Sequence, residues 1–292
     1  MKTIPAFFIF LAIITGCKFS KSVKKDLVSG LTTMGSKLEC EEVYLTVDDK
    51  RTNRNSFIYG ETFYLIFSNV TGLTSEGGNV FPGMKMIVLD KNGDTLMNTS
   101  NLIEKYSDGI NYSPLLLSAD LTVAAPLQSG GEFKMKVLIW DKKGDGKLNS
   151  EFDFDVKANE LINVDASNVS YEEAYIFSQG SDKVITDNKI RYNDNIYIII
   201  EGLKGFNEEN GMVFPGLSII GTDSQGNVIL SKDDLLSDYT ESGIAASDLS
   251  ERVSANFRIT GSDFNNPLHC DLKVWDKKGS AYIRTTMDLN IE

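Results

Sequence analysis

The stretch VFPG at residues 80–83 returns as VFPG at residues 213–216, and the two copies stand inside a longer repeat. Further along the chain, WDKKG at residues 140–144 returns as WDKKG at residues 275–279. Two matching halves, each of ordinary domain size, predict one domain that occurs twice. Features common to both copies are therefore expected to build the scaffold, and features that differ are expected to carry function.

Within each copy, apolar and polar residues alternate with the period of a β-strand, as at residues 133–140 and 268–275. Turns that contain glycine, such as KNGD at residues 91–94, separate these segments. About seven short strands in about 120 residues are typical of an immunoglobulin-like domain. The sequence therefore predicts an all-β protein of two tandem, duplicated, Ig-like (Greek-key) β-sandwich domains.

The domain boundaries follow from where the alternation begins and ends. The first domain is predicted at residues 38–158 and the second at residues 167–292, with the polar stretch around residues 158–170 as a short linker. Helix is expected only as one or two turns at residues 101–107 and 233–239.

The N-terminus has the pattern of a processing signal. Lys2 precedes a mostly apolar run at residues 4–15, which is too short to span a bilayer because a spanning helix needs about 20 apolar residues. The run ends in ITGC at residues 14–17. This sequence resembles the lipobox of bacterial lipoprotein signals, and the resemblance implies a signal peptide at residues 1–16, cleavage before Cys17 and lipidation of that cysteine.

Residues 17–37 are rich in lysine and lack strand alternation, so they are predicted to form a lipidated, flexible tether. The resemblance further implies a bacterial envelope protein that the lipid on Cys17 holds at the outer membrane. Its periplasmic and surface faces both stay open. The net charge of −12, without a basic domain, excludes nucleic acid as an expected partner.

Residues for catalysis are scarce. His269 is the only histidine, and strand alternation places it away from the core, while no G-x-S-x-G or phosphate-binding glycine motif is present. We therefore expect no enzyme activity and no cofactor, with calcium as the one open case. Cys270 shares a strand face with Leu272 and Val274 and is expected to be core packing; whether it pairs with Cys40 is left open.

The repeated motifs contain aromatic residues at equivalent positions. Phe81 and Phe214 precede the Pro-Gly turns, and Trp140 and Trp275 end a strand on its outer face. Such rings commonly cover a turn or the end of a sandwich. An exposed ring also stacks on sugars or contacts a protein, so these four residues are candidate ligand or partner contacts.

The acidic turns raise the question of calcium. Residues 141–149 (DKKGDGKLN) begin like an EF-hand loop, but Lys143 and Phe152 stand at its third and twelfth positions, where oxygen ligands are required. An EF-hand is therefore excluded. A looser calcium site is left open beside the alternative of carboxylates that only stabilise their turns, and its candidate ligands are Asp90, Asp94, Asp141 and Asp145.

These observations predict a membrane-anchored lipoprotein that acts as a non-catalytic binding module in the cell envelope, with an envelope protein as its partner. The alternative is a glycan-binding lipoprotein of a carbohydrate-uptake or adhesion system. A protein partner requires an exposed apolar patch or an open edge strand, whereas a glycan requires exposed aromatic faces beside polar groups. The contacts are expected in the loops at residues 99–120 and 231–252, where the copies differ.

Overall fold

The computed structural model describes residues 21–25, 30–261 and 265–292. The predicted signal peptide and Cys17 lie outside the described residues. In the described part of the chain, no helix is both long enough and apolar enough to cross a membrane. The described residues form two β-sandwich domains, so the predicted fold class is confirmed.

The elements of the first domain follow one another closely along the chain. They are β1 (Lys21–Lys25), β2 (Thr32–Ser36), β3 (Glu42–Val47), β4 (Lys50–Thr52), β5 (Ser56–Ile58), β6 (Thr62–Ser68), β7 (Ser75–Glu76), β8 (Asn79–Val80), β9 (Pro82–Asp90), β10 (Thr95–Asn98), the 3₁₀ turn η1 (Glu104–Tyr106), β11 (Leu117–Thr122), β12 (Glu132–Asp141) and β13 (Lys147–Lys157).

Two sheets face each other in the first domain. One has the order β1-β2-β13-β12-β9-β10, with β5 parallel to β13, and the other has the order β11-β6-β3-β4. The connections from β6 to β9, from β10 to β11 and from β11 to β12 pass between the sheets, as in a Greek key. Alternate residues of each strand enter the shared core, where the ring of Phe57 stacks on that of Phe63 at 4.2 Å between centroids.

The second domain is built from a corresponding series of elements. They are β14 (Asn163–Ser167), β15 (Glu173–Ser178), β16 (Lys183–Val184), β17 (Lys189–Ile190), β18 (Ile196–Glu201), β19 (Met212–Val213), β20 (Pro215–Thr222), β21 (Val228–Lys232), the 3₁₀ turn η2 (Ser237–Tyr239), β22 (Ile244–Ala245), the helix α1 (Ala246–Glu251), β23 (Val253–Phe257), β24 (Leu268–Asp276) and β25 (Tyr282–Ile291).

The second domain repeats the strand order of the first, except that no strand in its described residues corresponds to β1. Its sheets are β14-β25-β24-β20-β21, with β17 parallel to β25, and β16-β15-β18-β23. The turns η1 and η2 lie in the two segments where short helical turns were expected. The helix α1 was not expected, and it occupies the segment before β23, where the first domain has an irregular loop before β11.

Strands β2 and β14, which hold equivalent places in the two copies, correct the predicted boundaries. Strand β2 pairs with β13, and β14 pairs with β25 in the same place in the second copy. The flexible tether predicted over residues 17–37 is therefore wrong for residues 21–25 and 30–37, and the linker around residues 158–170 is wrong for β14. Both strands are rich in polar residues and are held chiefly by backbone pairing, so their sequences lack the apolar alternation of a half-buried strand.

The two domains share a packed junction. Tyr175 and Ile199 of the second domain are buried against the core of the first, and the rings of Tyr59 and Tyr175 lie 5.4 Å apart. Gly60 lies against Val184, where a Cβ would come within 2.3 Å of the valine. The predicted linker with few contacts is thus replaced by a continuous contact between the copies.

Two glutamates of the second domain bind the first across this junction. Glu173 is 3% exposed, and its carboxylate accepts hydrogen bonds from the Ser129 amide at 2.5 Å and the Ser129 hydroxyl at 2.9 Å. Glu201 accepts hydrogen bonds from the hydroxyls of Tyr175 at 2.6 Å and Tyr59 at 3.3 Å. Burial raises the pKa of Glu173, against the opposing effect of the bonds from Ser129 and with a further rise from the charge of Glu201.

The raised pKa of Glu173 predicts how stability depends on pH. Above the ordinary glutamate value of 4.5, the folded state holds a proton that the unfolded state releases, so stability falls as pH rises through this window up to the folded pKa. Glu173→Gln keeps one acceptor for the Ser129 amide and carries no charge. We expect this variant to be more stable than the wild type at neutral pH, with the difference shrinking toward pH 4.5, in chemical denaturation.

Glu173→Ala is the contrasting variant. It leaves the Ser129 donors without their partner, and we expect it to cost about 1–3 kcal/mol at every pH. A stability difference between wild type and Glu173→Gln that does not change with pH would contradict the account of this junction.

Candidate functional site

The two repeated motifs form one packing unit in each domain. Trp140 at the end of β12 stands directly opposite Gly83 at the start of β9, and Trp275 stands opposite Gly216 in the second copy. Each indole covers its glycine so closely that a Cβ would lie 2.1 Å from the Trp140 ring, or 2.2 Å from the Trp275 ring. The glycines are therefore needed because a ring occupies the space of their missing side chains.

The aspartate of each WDKKG motif fixes the turn that follows. Asp141 accepts hydrogen bonds from the amides of Thr74 at 2.8 Å and Lys143 at 3.0 Å. In the second copy, Asp276 accepts from the amides of Asn207 and Lys278. Burial acts to raise the pKa of Asp141, but these amide bonds outweigh it and hold the pKa below its ordinary value.

The phenylalanines of the VFPG motifs lie beneath lysines of the same unit. The Lys278 ammonium lies 3.3 Å from the ring centroid of Phe214, and the Lys143 ammonium lies 5.0 Å from that of Phe81. Phe214 is buried, so the prediction that its ring contacts a partner is wrong. Phe81 is half-buried.

Both tryptophans are half-buried and lie on the outer face of their strands, as expected from strand alternation. A contact role for Trp140, Trp275 or Phe81 stays a prediction. Their established contacts are those of the scaffold.

Two of the four candidate calcium ligands, Asp90 and Asp141, accept hydrogen bonds within their own turns. Asp90 accepts hydrogen bonds from the amides of Asn92 and Asp94, and the bond from Asp94 is the main cause of its lowered pKa. Asp145 pairs with Lys37. Among the residues that the structure describes, no three histidine, cysteine or acidic side chains are grouped to hold a metal ion, and calcium binding stays a prediction.

The residues assessed for catalysis lie where the alternation of β24 predicts. His269 is exposed and its Nδ1 lies 2.8 Å from the carboxylate of Asp288 on β25. Cys270 is buried and free, and burial raises the pKa of its thiol to about 12. Cys40 is also buried and free, so these two thiols are not joined.

The edge strand β21 is the first surface that presents apolar side chains to solvent. It is the last strand of its sheet, and Val228 is 62% exposed and Ile229 36% exposed. Ile220 on the neighbouring β20 adds a third apolar side chain, 39% exposed. Its counterpart β10 in the first domain differs at one position, because Leu96 packs partly against the core where Ile229 is exposed; Met97 and its equivalent Leu230 both pack partly against their cores.

The loop between β10 and β11 forms a second apolar surface, around a cleft of about 510 Å³. Asn101 begins this loop by accepting a hydrogen bond from the Met84 amide, and Ile103 and Ile110 anchor it in the core. Its exposed members are Leu102, Tyr106, Tyr112 and Leu116.

The second domain covers the corresponding place differently. Asp234 binds the amide of Leu217 as Asn101 binds that of Met84, and Leu235 and Tyr239 are exposed at the positions of Leu102 and Tyr106. The segment before β23 forms α1, which buries Leu249. The recurrence of Leu and Tyr at the repeat offset is the sequence signal for these surface residues.

The fit of tryptophan over glycine yields a test. Gly83→Ala forces the indole of Trp140 to move, and overpacking of this kind costs about 1–3 kcal/mol. In a Trp140→Ala background the added methyl group has space, and we expect its cost to fall below about 0.5 kcal/mol. A double-mutant cycle by denaturant unfolding measures this coupling, and an equal cost in both backgrounds would show that the ring does not occupy the space.

Comparison with known proteins gives no family. No family model matches the chain, and no curated protein matches it. One similar solved structure is pT26-6p. It is 9% identical to this chain with a TM-score of 0.27, and the match covers 94% of this chain and 66% of pT26-6p. The similar solved structures also include the fibronectin(III)-like modules of Clostridium thermocellum CbhA, with 11% identity and a TM-score of 0.21, covering 85% of this chain and 94% of that one. Trypsin-activated alpha-2-macroglobulin from Escherichia coli is 8% identical with a TM-score of 0.27, and the match covers 90% of this chain and 18% of the macroglobulin chain. These scores are low, so the fold assignment rests on the strands of the chain itself.

Proposed function

We propose that this chain is a lipid-anchored binding protein of the bacterial cell envelope, in which Cys17 carries the lipid and the folded domains bind a partner protein without catalysis. The lipobox-like sequence at residues 14–17 supports the anchor. The open edge of β21 supports the binding role, and it is the observation that carries the proposal.

An open edge strand binds protein by strand addition. The free N–H and C=O groups of the edge accept an extended segment of the partner, and neighbouring side chains give selectivity. On β21, Val228 and Ile229 place apolar side chains beside those groups. Natural edges are usually protected by charge, whereas β21 carries a single lysine, Lys232, at its far end.

Site-specific crosslinking tests this edge. A photo-reactive residue at Val228 is expected to form an adduct with one envelope protein in native membranes. The matched control is Thr95, which holds the equivalent position at the start of β10 and is also exposed. We expect no such adduct from Thr95.

A charge on the edge should prevent the pairing. Ile229→Lys is expected to lower the yield of the Val228 adduct at least tenfold, because a buried lysine at a strand interface is strongly unfavourable. Since Ile229 is partly exposed, the unfolding free energy should change by no more than about 0.5 kcal/mol. Equal adducts from both positions, or an unchanged yield in the Ile229→Lys variant, would rule out β21 as the binding edge.

Glycan binding is the second candidate, and the cleft beside β11 favours it. The exposed rings of Tyr106 and Tyr112 stand with Lys105 and Asp120 around this cleft, and aromatic faces beside polar groups suit a sugar. A glycan array distinguishes the two functions. Binding that is lost in Tyr112→Ala and retained in Ile229→Lys would favour the glycan function over the protein partner.

A further inference from the structure

We propose that one end of the first domain docks against an anionic lipid bilayer. The proposal rests on the lipid anchor at Cys17 in the proposed function, and it adds a fixed contact between the folded domain and the membrane. This docking surface, here named the basic end, consists of Lys37, Tyr112, Leu116, Lys142, Lys143 and Lys147.

The N-terminal segment enters the domain at the basic end. Lys21, the first residue of β1, pairs with Ser36, which also pairs with Lys147 at the start of β13. Strand β1 is held to the domain, since the ammonium of Lys24 donates to the backbone carbonyl of Cys40 at 2.7 Å. The four residue steps from Cys17 to Lys21 reach at most about 14 Å, so a lipid on Cys17 keeps the basic end beside the headgroups.

The basic end carries four lysines beside the carboxylates of Glu39, Glu76, Asp141 and Asp145, so it is less acidic than the chain as a whole. Lys142 and Lys147 are exposed and form no ion pair within the described ranges. Lys37 pairs with Asp145, and Lys143 pairs with Glu76 at 3.0 Å. Lysines within about a Debye length, ~8–10 Å, of anionic lipid are attracted to it. The two lysines that are unpaired among the described residues, Lys142 and Lys147, distinguish this end in a chain whose net charge is −12.

The opposite end of the first domain is more acidic. Among the described residues, a cleft of about 520 Å³ is lined there by four acidic side chains and only two lysines, Lys91 and Lys134, and the second domain contacts the same end through Ser129. An anionic membrane repels that end and attracts the basic end. The charge distribution and the point of chain entry therefore favour the same orientation of the first domain on the membrane. The acidic lining residues are Asp90, Glu132, Asp153 and Asp155.

Tyr112 and Leu116 add apolar contact at the basic end, with 76% and 57% of their surfaces exposed. The loop at residues 69–81 connects their segment to the lysines. Its Val70 amide donates to the carbonyl of Leu115 at 2.9 Å, and its Thr74 amide donates to Asp141, next to Lys142. Tyrosine favours the membrane interface, where an apolar ring and a polar hydroxyl are both accommodated.

The equivalent end of the second domain lacks this chemistry. Lys277 pairs with Asp234 at 2.7 Å, and Lys278 pairs with Glu209 at 2.5 Å. Tyr282 takes the place of Lys147, since each pairs with the tryptophan of its own copy. The second copy is therefore a built-in control for the first.

The two tryptophans are native probes of the contact. Trp140 stands opposite Lys147 at the basic end, and Trp275 holds the equivalent place in the second domain. The experiment uses the lipidated protein with Trp275→Phe or Trp140→Phe on vesicles of phosphatidylglycerol and phosphatidylcholine with a nitroxide on the headgroup. We expect the fluorescence of Trp140 to be quenched at least twofold more than that of Trp275, and the excess to shrink in phosphatidylcholine alone or at high salt.

Charge-removal variants test the lysines directly. Lys37→Gln, Lys142→Gln, Lys143→Gln and Lys147→Gln, combined in one protein, are expected to remove at least half of the excess quenching of Trp140. The combined control Lys277→Gln and Lys278→Gln should leave that excess unchanged. Equal quenching of the two tryptophans, or no effect of the fourfold variant, overturns the proposal.

The anchor has a separate readout. Co-sedimentation with vesicles and the mass of the N-terminal peptide report whether Cys17 carries acyl chains. An acylated protein that sediments but shows equal quenching of both tryptophans retains the anchor and overturns the docking. A Cys17 without acyl chains overturns the anchor itself, and the docking proposal with it.

Discussion

The buried carboxylate of Glu173, bound by the amide and hydroxyl of Ser129, joins the two copies into one body. A charged group taken this far from water is stable only with its partners in place, because an unpartnered one costs several kcal/mol. The buried rings of Tyr59 and Tyr175 close the same junction beside Glu201. The position of the second domain, and of its edge strand β21, is therefore set by the first domain.

Duplication divides the molecule into shared scaffold and unshared surface. Three contacts recur in both copies: the tryptophan over glycine, the aspartate in the following turn and the lysine over phenylalanine. We therefore assign them to stabilising the fold. The surfaces that differ are the edge of β21, which is apolar, and the end of the first domain, which combines lysines with Tyr112 and Leu116. In the proposed arrangement the first domain rests on the membrane and the second presents the edge to a partner.

The sequence predicted what depends on local pattern. Alternation located the long strands and placed Cys270 in the core and His269 on the surface. It missed β2 and β14, because strands held by backbone pairing need no apolar alternation. It also missed the junction, since Glu173 and Ser129 meet only after both domains have folded. Exposure of Val228 or Tyr112 likewise depends on which neighbours cover them, and a single sequence does not specify that. The overlooked strands make most of the predicted tether part of the folded domain, so the proposed lipid on Cys17 would hold that domain close to the membrane.

The distance between the domains tests the single-body account most directly. Nitroxide labels at Lys91→Cys and Ser224→Cys, equivalent exposed turn positions in the two copies, report this distance by pulsed dipolar spectroscopy. The buried Cys40 and Cys270 are replaced by alanine for the measurement. The account predicts one narrow distance distribution, because the junction fixes both domains. A broad distribution, as expected for two domains on a flexible linker, would contradict it.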